Sequence, residues 1–255
     1  MTGSNLIRLP PGFFVTATGT GVGKTFVSRG LTAALHARGR RVAALKPIET
    51  GVPFPVNPVL PTDASLLARA AAWLELEHAT GFYRAALPAS PYGVSLATCS
   101  PPLELEPLAL AIEVAAQGAD LVLVEGAGGL LVPVDRERTL ADLATRLGLP
   151  LLLVAPNALG VLSHVLTAIE SAERRALSIA ALVLTELEPA TETADAADPT
   201  RAHNAAILRE RLRCPVLSFP FCVDSSDRAL ATAATRAGLL ELAKRQLTER
   251  HAHLP

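Results

Sequence analysis

The sequence predicts an α/β domain: a doubly wound, mostly parallel sheet flanked by helices. Six short apolar runs, rich in Val and Leu and apolar on both faces, are bounded by turn residues, as strands buried in a parallel sheet are. Stretches with helical spacing lie between them, and that alternation implies strands joined by crossover helices. With 255 residues, 50% of them hydrophobic, the chain can bury one large core, so residues 1–255 read as a single domain with a short N-terminal tail, 1–11.

Each element follows from its residues. Phe13 to Thr16 is the first strand; it leads through a glycine-rich turn into a helix whose Val27, Leu31 and Leu35 fall at i, i+4 and i+8 on one stripe. Arg38 and Gly39 close that helix. Arg41 to Lys46 is the second strand. Val52 to Pro61 carries Pro53, Pro55, Pro58 and Pro61, which excludes both helix and central strand and predicts an exposed loop. Thr62-Asp63-Ala64-Ser65 is a helix start, with Asp63 as N-cap and the helix running from Ala64 to Leu74. Asp120 to Glu125 and Pro150 to Ala155 are strands, separated by a helix at Asp142 to Leu147 and followed by one at Leu162 to Arg175. Ile179 to Thr185 is the fifth strand. Glu186 to Thr200, acidic, rich in Ala and Thr and without apolar period, is a surface loop. Arg201 to Leu212 is a helix, and Val216 to Phe219 the sixth strand.

A net charge of −1 gives no electrostatic footprint for nucleic acid or an anionic membrane surface. Three cysteines, Cys99, Cys214 and Cys222, lie far apart without metal-ligand spacing, an odd count that points to reduced thiols. Residues 1–8 lack the apolar stretch of a signal peptide, and no run approaches a membrane span, so the expected compartment is the cytoplasm.

In parallel α/β sheets ligands bind beyond the carboxyl ends of the strands. After the first strand stands Thr18-Gly19-Thr20-Gly21-Val22-Gly23-Lys24-Thr25. Close glycines turn successive backbone N–H groups toward phosphate oxygens, Lys24 reaches the β and γ phosphates, and the Thr25 hydroxyl can ligate Mg2+. The helix that follows adds its positive end. The pattern departs from G-x-x-x-x-G-K-[ST] in one position, Thr18, and its bland alternative is a glycine-rich turn without a ligand. After the second strand comes Lys46-Pro47-Ile48-Glu49-Thr50-Gly51, in which Pro47 holds Lys46 extended. Lys46 is either a solvated cation or a group aimed at the phosphate loop. After the third, Leu121 to Val124 deliver Glu125 into Gly126-Ala127-Gly128-Gly129, either a turn with an incidental acid or a Mg2+ ligand beside backbone that a substrate approaches. Asp63 is a cap, a role compatible with metal binding.

These segments, with Leu159-Gly160-Val161-Leu162-Ser163-His164, resemble the dethiobiotin synthetase family over about residues 13 to 222. The resemblance implies a P-loop NTPase fold and an ATP-dependent carboxylation: 7,8-diaminononanoate takes up CO2 as a carbamate, the carbamate is phosphorylated, and the second amine closes the ureido ring with loss of phosphate. It implies Lys46 and Lys24 as catalytic groups, and Thr25, Asp63 and Glu125 as the Mg2+ site. It further implies Thr20, Gly21, Val22, Gly23, Lys24, Thr25, Asp63, Glu125, Thr185, Pro220 and Phe221 around the nucleotide, the last two closing over the base. Thr50, Glu125, Gly126, Ala127, Gly128, Ser163 and Asn204 are implied around the substrate. A homodimer is implied too, with the diamine at its interface, Gly160 opening a helix toward its carboxylate and Asn204 reaching across.

The chain departs from common family patterns at Gly19 and Gly21, where Asp and Glu are frequent, at Ser163, where Asn is common, and at Thr185, which replaces an Asn that reads adenine. Thr185 has one short hydroxyl and cannot make a paired contact with the base, so weak discrimination among nucleoside triphosphates is expected. Two other readings share this fold. A partitioning-type switch ATPase would carry an additional lysine early in the loop, where Ala17, Thr18 and Gly19 stand, and often a basic membrane helix at its end, whereas Leu239 to His253 is short and mixed in charge. A paralogous ligase acting on another amine or acid is the third.

Overall fold

In the computed structural model, which describes residues 9–52, 61–189 and 198–251, six strands form one parallel sheet in the order β2-β5-β1-β6-β7-β8. They are β1 (Gly12–Ala17), β2 (Val42–Leu45), β5 (Leu121–Glu125), β6 (Leu151–Pro156), β7 (Ile179–Thr185) and β8 (Val216–Phe219), all within a residue or two of the six predicted runs. The order reverses at β1, between β5 and β6, and this is where a doubly wound sheet leaves a crevice.

Alternate residues of β1 serve opposite faces, as the period of two dictates. Phe14 joins Leu45, Val122 and Val124 under α4 (Leu105–Ala115) and α5 (Leu140–Leu147). Phe13 and Val15 join Val42, Ala44 and Leu123 under α1 (Lys24–His36) and the C-terminal helices α8 (Asp227–Arg236) and α9 (Leu239–His251). The predicted stripe of Val27, Leu31 and Leu35 is the buried face of α1. Beyond β6, the helices α6 (Val161–Glu173) and α7 (Arg201–Arg211) cover Leu153, Leu182 and Leu184.

Several elements differ from expectation. A second, two-stranded parallel sheet pairs β3 (Ile48–Thr50) with β4 (Tyr83–Ala85), and α3 (Pro91–Thr98), α4 and α8 were not anticipated. The helix expected over 64–74 is α2 (Asp63–Ala70); Ala72 turns to φ 50, and a 3-10 turn, Leu74–His78, follows. Thr62, rather than Asp63, is its N-cap, accepting from the Ser65 N–H, and Asp63 is the first helical residue. Most of the proline-rich loop, residues 53–60, and of the acidic loop, 190–197, lies outside the described residues, as do 1–8 and 252–255.

Candidate active site

The glycine loop, the β2–β3 turn and the β5 turn converge at the carboxyl end of the sheet. Gly21 and Gly23 have φ of 73° and 93°, the left-handed region open to glycine, and Gly23 caps α1. A side chain at Gly23 would also press on Thr185, 3.1 Å from its methyl. The β5 turn lies against this loop: a Cβ at Gly129 would sit 3.1 Å from the Ala17 carbonyl oxygen, and one at Gly128 3.4 Å from Thr20 Oγ1. Gly21, Gly23 and Gly128 are therefore required by their left-handed backbone, and Gly129 by close backbone approach.

Lys46 is the hub. It is buried, and its Nζ donates to Glu125 Oε1 at 2.7 Å and to the Gly126 carbonyl at 3.2 Å, and pairs with Asp63 Oδ2 at 3.0 Å. Glu125 Oε1 also accepts from Thr25 Oγ1 at 2.8 Å. Burial opposes the Lys46 charge, but Glu125 and Asp63 together outweigh it and hold its ammonium above the usual lysine range. Lys24, buried too, donates to the Gly19 carbonyl at 3.0 Å; burial and then Lys46 push it down to about 8, against the attraction of Glu125 and Asp63.

Thr25, Asp63 and Glu125 offer a hydroxyl and two carboxylates, a hard oxygen set of the kind Mg2+ takes. Glu125 is fully buried and its Oε2 has no hydrogen-bond partner, while the Lys46 ammonium stands as the cation between the two acids. The donor set fits a hard divalent ion. Among the described residues no group of three or more His, Cys, Asp or Glu is placed to hold a metal ion by itself.

A cleft of about 850 Å3 runs from this hub past the glycine loop to the end of β8. Of the residues expected around it, Thr20, Gly21, Gly23, Lys24, Thr25, Lys46, Thr50, Asp63, Ala127, Gly128, Thr185, Pro220 and Phe221 line it. Val22 packs into the core beneath the loop, and Glu125 and Gly126 touch the site through Lys46. Thr185 reaches the cleft without a free donor: its hydroxyl lies 2.7 Å from the Val22 carbonyl and 3.2 Å from that of Ala155. Ser163 is exposed on the first turn of α6, outside the cleft.

Asn204, expected to reach across to a partner, is buried within its own chain, donating to Asn157 Oδ1 at 3.0 Å, and Asn157 in turn donates to Glu186 Oε1 at 2.7 Å. It braces the ends of β6 and β7 within its own chain. Residues not anticipated also line the cleft: Arg29, one turn beyond Thr25 and bonded to Asp227 Oδ1 at 2.8 Å; Glu49; Ser90 and Pro91 at the start of α3; and Glu186 and Cys222 near Phe221. The Arg29 position was legible, since i+4 from Thr25 shares its helical face; that of Ser90 was signalled by a capping serine before proline.

Comparison with known proteins agrees with this geometry. A family model described as an AAA domain matches residues 11–219. The ATP-dependent dethiobiotin synthetase BioD of Anaeromyxobacter sp. (strain K) is 38% identical over 223 residues, 86% of this chain and 93% of that protein. That of Aromatoleum aromaticum is 32% identical over 229 residues, covering 89% and 97%. Among solved structures, the septum site-determining protein MinD of Pyrococcus horikoshii, complexed with Mg-ADP, superposes with a TM-score of 0.51 at 17% identity, covering 92% of this chain and 98% of MinD, a likeness of fold. With a phosphate loop, a buried lysine between two acids and relatives matched along nearly their whole length, the chain belongs to the ATP-dependent dethiobiotin synthetase family.

Proposed function

We propose that this protein is an ATP-dependent cyclo-ligase of biotin biosynthesis that joins 7,8-diaminononanoate and CO2 into the ureido ring of dethiobiotin. The observation that carries the reading is Lys46, kept cationic between Asp63 and Glu125 beside a phosphate loop. One amine of the diamine adds to CO2 and loses a proton, giving a carbamate. A carbamate oxygen then takes the γ-phosphoryl group of ATP, releasing ADP. The second amine attacks the carbonyl carbon and gives up a proton, phosphate leaves, and the ring closes.

The difficult step brings an anion against a triphosphate, and the residues present oppose that repulsion. Lys46 is aimed from the sheet end toward the carbamate, and Lys24 lies along the phosphate loop where charge develops on the transferring group. Bound Mg2+ would neutralise phosphate charge, held by Thr25, Asp63 and Glu125. Thr50, Ala127 and Gly128 line the cleft and, with Gly126, whose carbonyl accepts from Lys46, are proposed to hold the diamine; the Pro220-Phe221 segment is proposed to cover the base.

A two-fold homodimer is proposed, with Ser163 and the N-terminal turn of α6 facing the partner's substrate. Support comes from Leu159, 77% exposed beside it, and from Ser163 lying outside its own cleft. Sedimentation that finds only monomer at micromolar concentration, with full activity, refutes the dimer. A cytoplasmic setting is proposed; its support is three free thiols, and among the described residues no helix is long and apolar enough to cross a membrane. The activity is tested by incubating the protein with the diamine, bicarbonate, Mg2+ and ATP. The cyclic urea should appear by mass spectrometry, and its absence with folded protein overturns the reading.

A further inference from the structure

We propose that Glu49 is a positioning residue for the acid pair: its carboxylate grips the backbone of Asp63, so that the Asp63 side chain is presented to Lys46 and to the metal. The inference rests on the reading of this site as a Mg2+-nucleotide centre. Glu49 lies in β3, three residues after Lys46, and is buried. Its Oε1 accepts from the Asp63 N–H at 2.6 Å, a short, charge-assisted bond. That N–H belongs to the first residue of α2 and has no partner within the helix. Thr62 caps the third N–H of the same turn, so the start of α2 is fixed at two points, one from its own chain neighbour and one from β3.

The second oxygen of Glu49 has no hydrogen bond, and its charge is compensated across the small sheet. Glu49 and Arg84 are register partners in the β3–β4 pair, and Arg84 Nε stands 3.6 Å from Glu49 Oε2. A buried carboxylate is costly unless its contacts are used. Here the segment from Lys46 to Glu49 holds Asp63 at two atoms: Lys46 pairs with its carboxylate at 3.0 Å, while Glu49 takes its amide. Removing the second hold frees α2 to draw the carboxylate away from the hub.

Two readouts test this besides turnover: hydrogen exchange at the Asp63 amide, and the Mg2+ concentration that half-saturates ATP binding by calorimetry. Glu49→Ala should lose protection at Asp63 and raise the Mg2+ requirement about tenfold, the usual effect of removing a group that orients a metal ligand. Glu49→Gln keeps an acceptor oxygen at the same reach and should stay within about threefold of wild type on both. Glu49→Asp, one methylene shorter, should behave like the alanine variant. If Glu49→Ala does not fold, the glutamine and aspartate variants decide. Unchanged Mg2+ dependence in Glu49→Ala or Glu49→Asp overturns the proposal, even where Asp63 protection falls, since Glu49 would then be a helix cap alone. It is overturned as well if Glu49→Gln fails like alanine and raises KM for the diamine, which would make the carboxylate a binding group for an ammonium. Failure of wild type to form dethiobiotin would sink the proposed function, while exchange and Mg2+-linked binding still report on Glu49.

Discussion

Lys46 is bound so closely to two acids that its loss acts on stability and chemistry together. Glu125 is fully buried, and in Lys46→Ala it keeps only the Thr25 hydroxyl. Breaking a buried pair by removing one partner costs roughly 3 to 5 kcal/mol, so the variant should melt well below wild type in chelator and recover part of that loss with Mg2+. Ring formation should fall by on the order of 3 kcal/mol, more than about a hundredfold, while nucleotide binding persists. Turnover within threefold of wild type would refute the role. Lys24 yields a pH signature. Lowered to about 8, it is mostly neutral in the free protein near pH 8.5, and the triphosphate restores its charge. ATP binding there should take up about half a proton or more, and near pH 6.5 this lysine should contribute none; calorimetry in buffers of different ionisation enthalpy measures both. The sign for folding is opposite: a depressed lysine pKa opposes folding fully below about 8, and the penalty fades as pH rises toward the ordinary 10.5. Thr185, its hydroxyl spent on the Val22 carbonyl, should leave kcat/KM for ATP, CTP and GTP within about tenfold of one another. A preference for ATP above about a hundredfold would show that Glu186 or backbone at the end of β8 reads the base.

Helix α1 joins the glycine loop to the C-terminal helices, and the joint is Gly30. A Cβ there would lie 2.6 Å from the Leu230 carbonyl oxygen of α8, a backbone atom that cannot rotate aside. Gly30→Ala should therefore destabilise by about 1 to 3 kcal/mol despite the better helix propensity of alanine, read as a lowered urea midpoint at constant slope. An unchanged midpoint would mean that the helices slide freely. Nothing in the sequence marks Gly30, because its constraint is a neighbour 200 positions away. The strands of the main sheet other than the edge strand β8 were legible for the opposite reason: largely buried on both faces, each is a nearly continuous apolar run that needs no partner to be recognised, whereas β8 exposes Ser218. β3 and β4 were not, since three-residue strands with Glu49 and Arg84 paired across them carry no apolar pattern. α4 was readable in principle, from Leu105, Leu108, Ala109 and Ile112 at i, i+3, i+4 and i+7, although Pro107 in its first turn disguised it as coil.

At the scale of the whole molecule, the site is the place where strand order reverses, and this explains which of its residues sequence could supply. Lys46 directly follows β2, Glu125 ends β5, and Lys24 and Thr25 open α1 after the glycine loop that leaves β1, so locating the strands located them. Asp63, at the start of α2, was named through the family resemblance, whereas Glu49 in the small sheet and Arg29 in α1 enter the site only through contacts made on folding. The burial of Asn204 against Asn157 was not legible either, because an aligned position says nothing about the direction in which a side chain points. The cleft separates the wall built from β3 and α2 from the wall built from the ends of β7 and β8, and a ligand touching both should bind the folded state alone. At a hundredfold excess over its dissociation constant, ATP with Mg2+ should then stabilise by about 2.7 kcal/mol, roughly 5 to 10 °C in melting temperature for a chain of this length. With Mg2+ chelated, Lys46 must serve alone as the cation between Asp63 and Glu125, and the same ATP concentration should give less than half that shift. Equal shifts with and without Mg2+ would exclude Thr25, Asp63 and Glu125 as a metal site coupled to nucleotide, and would leave Lys46 as the permanent counter-ion of the two acids.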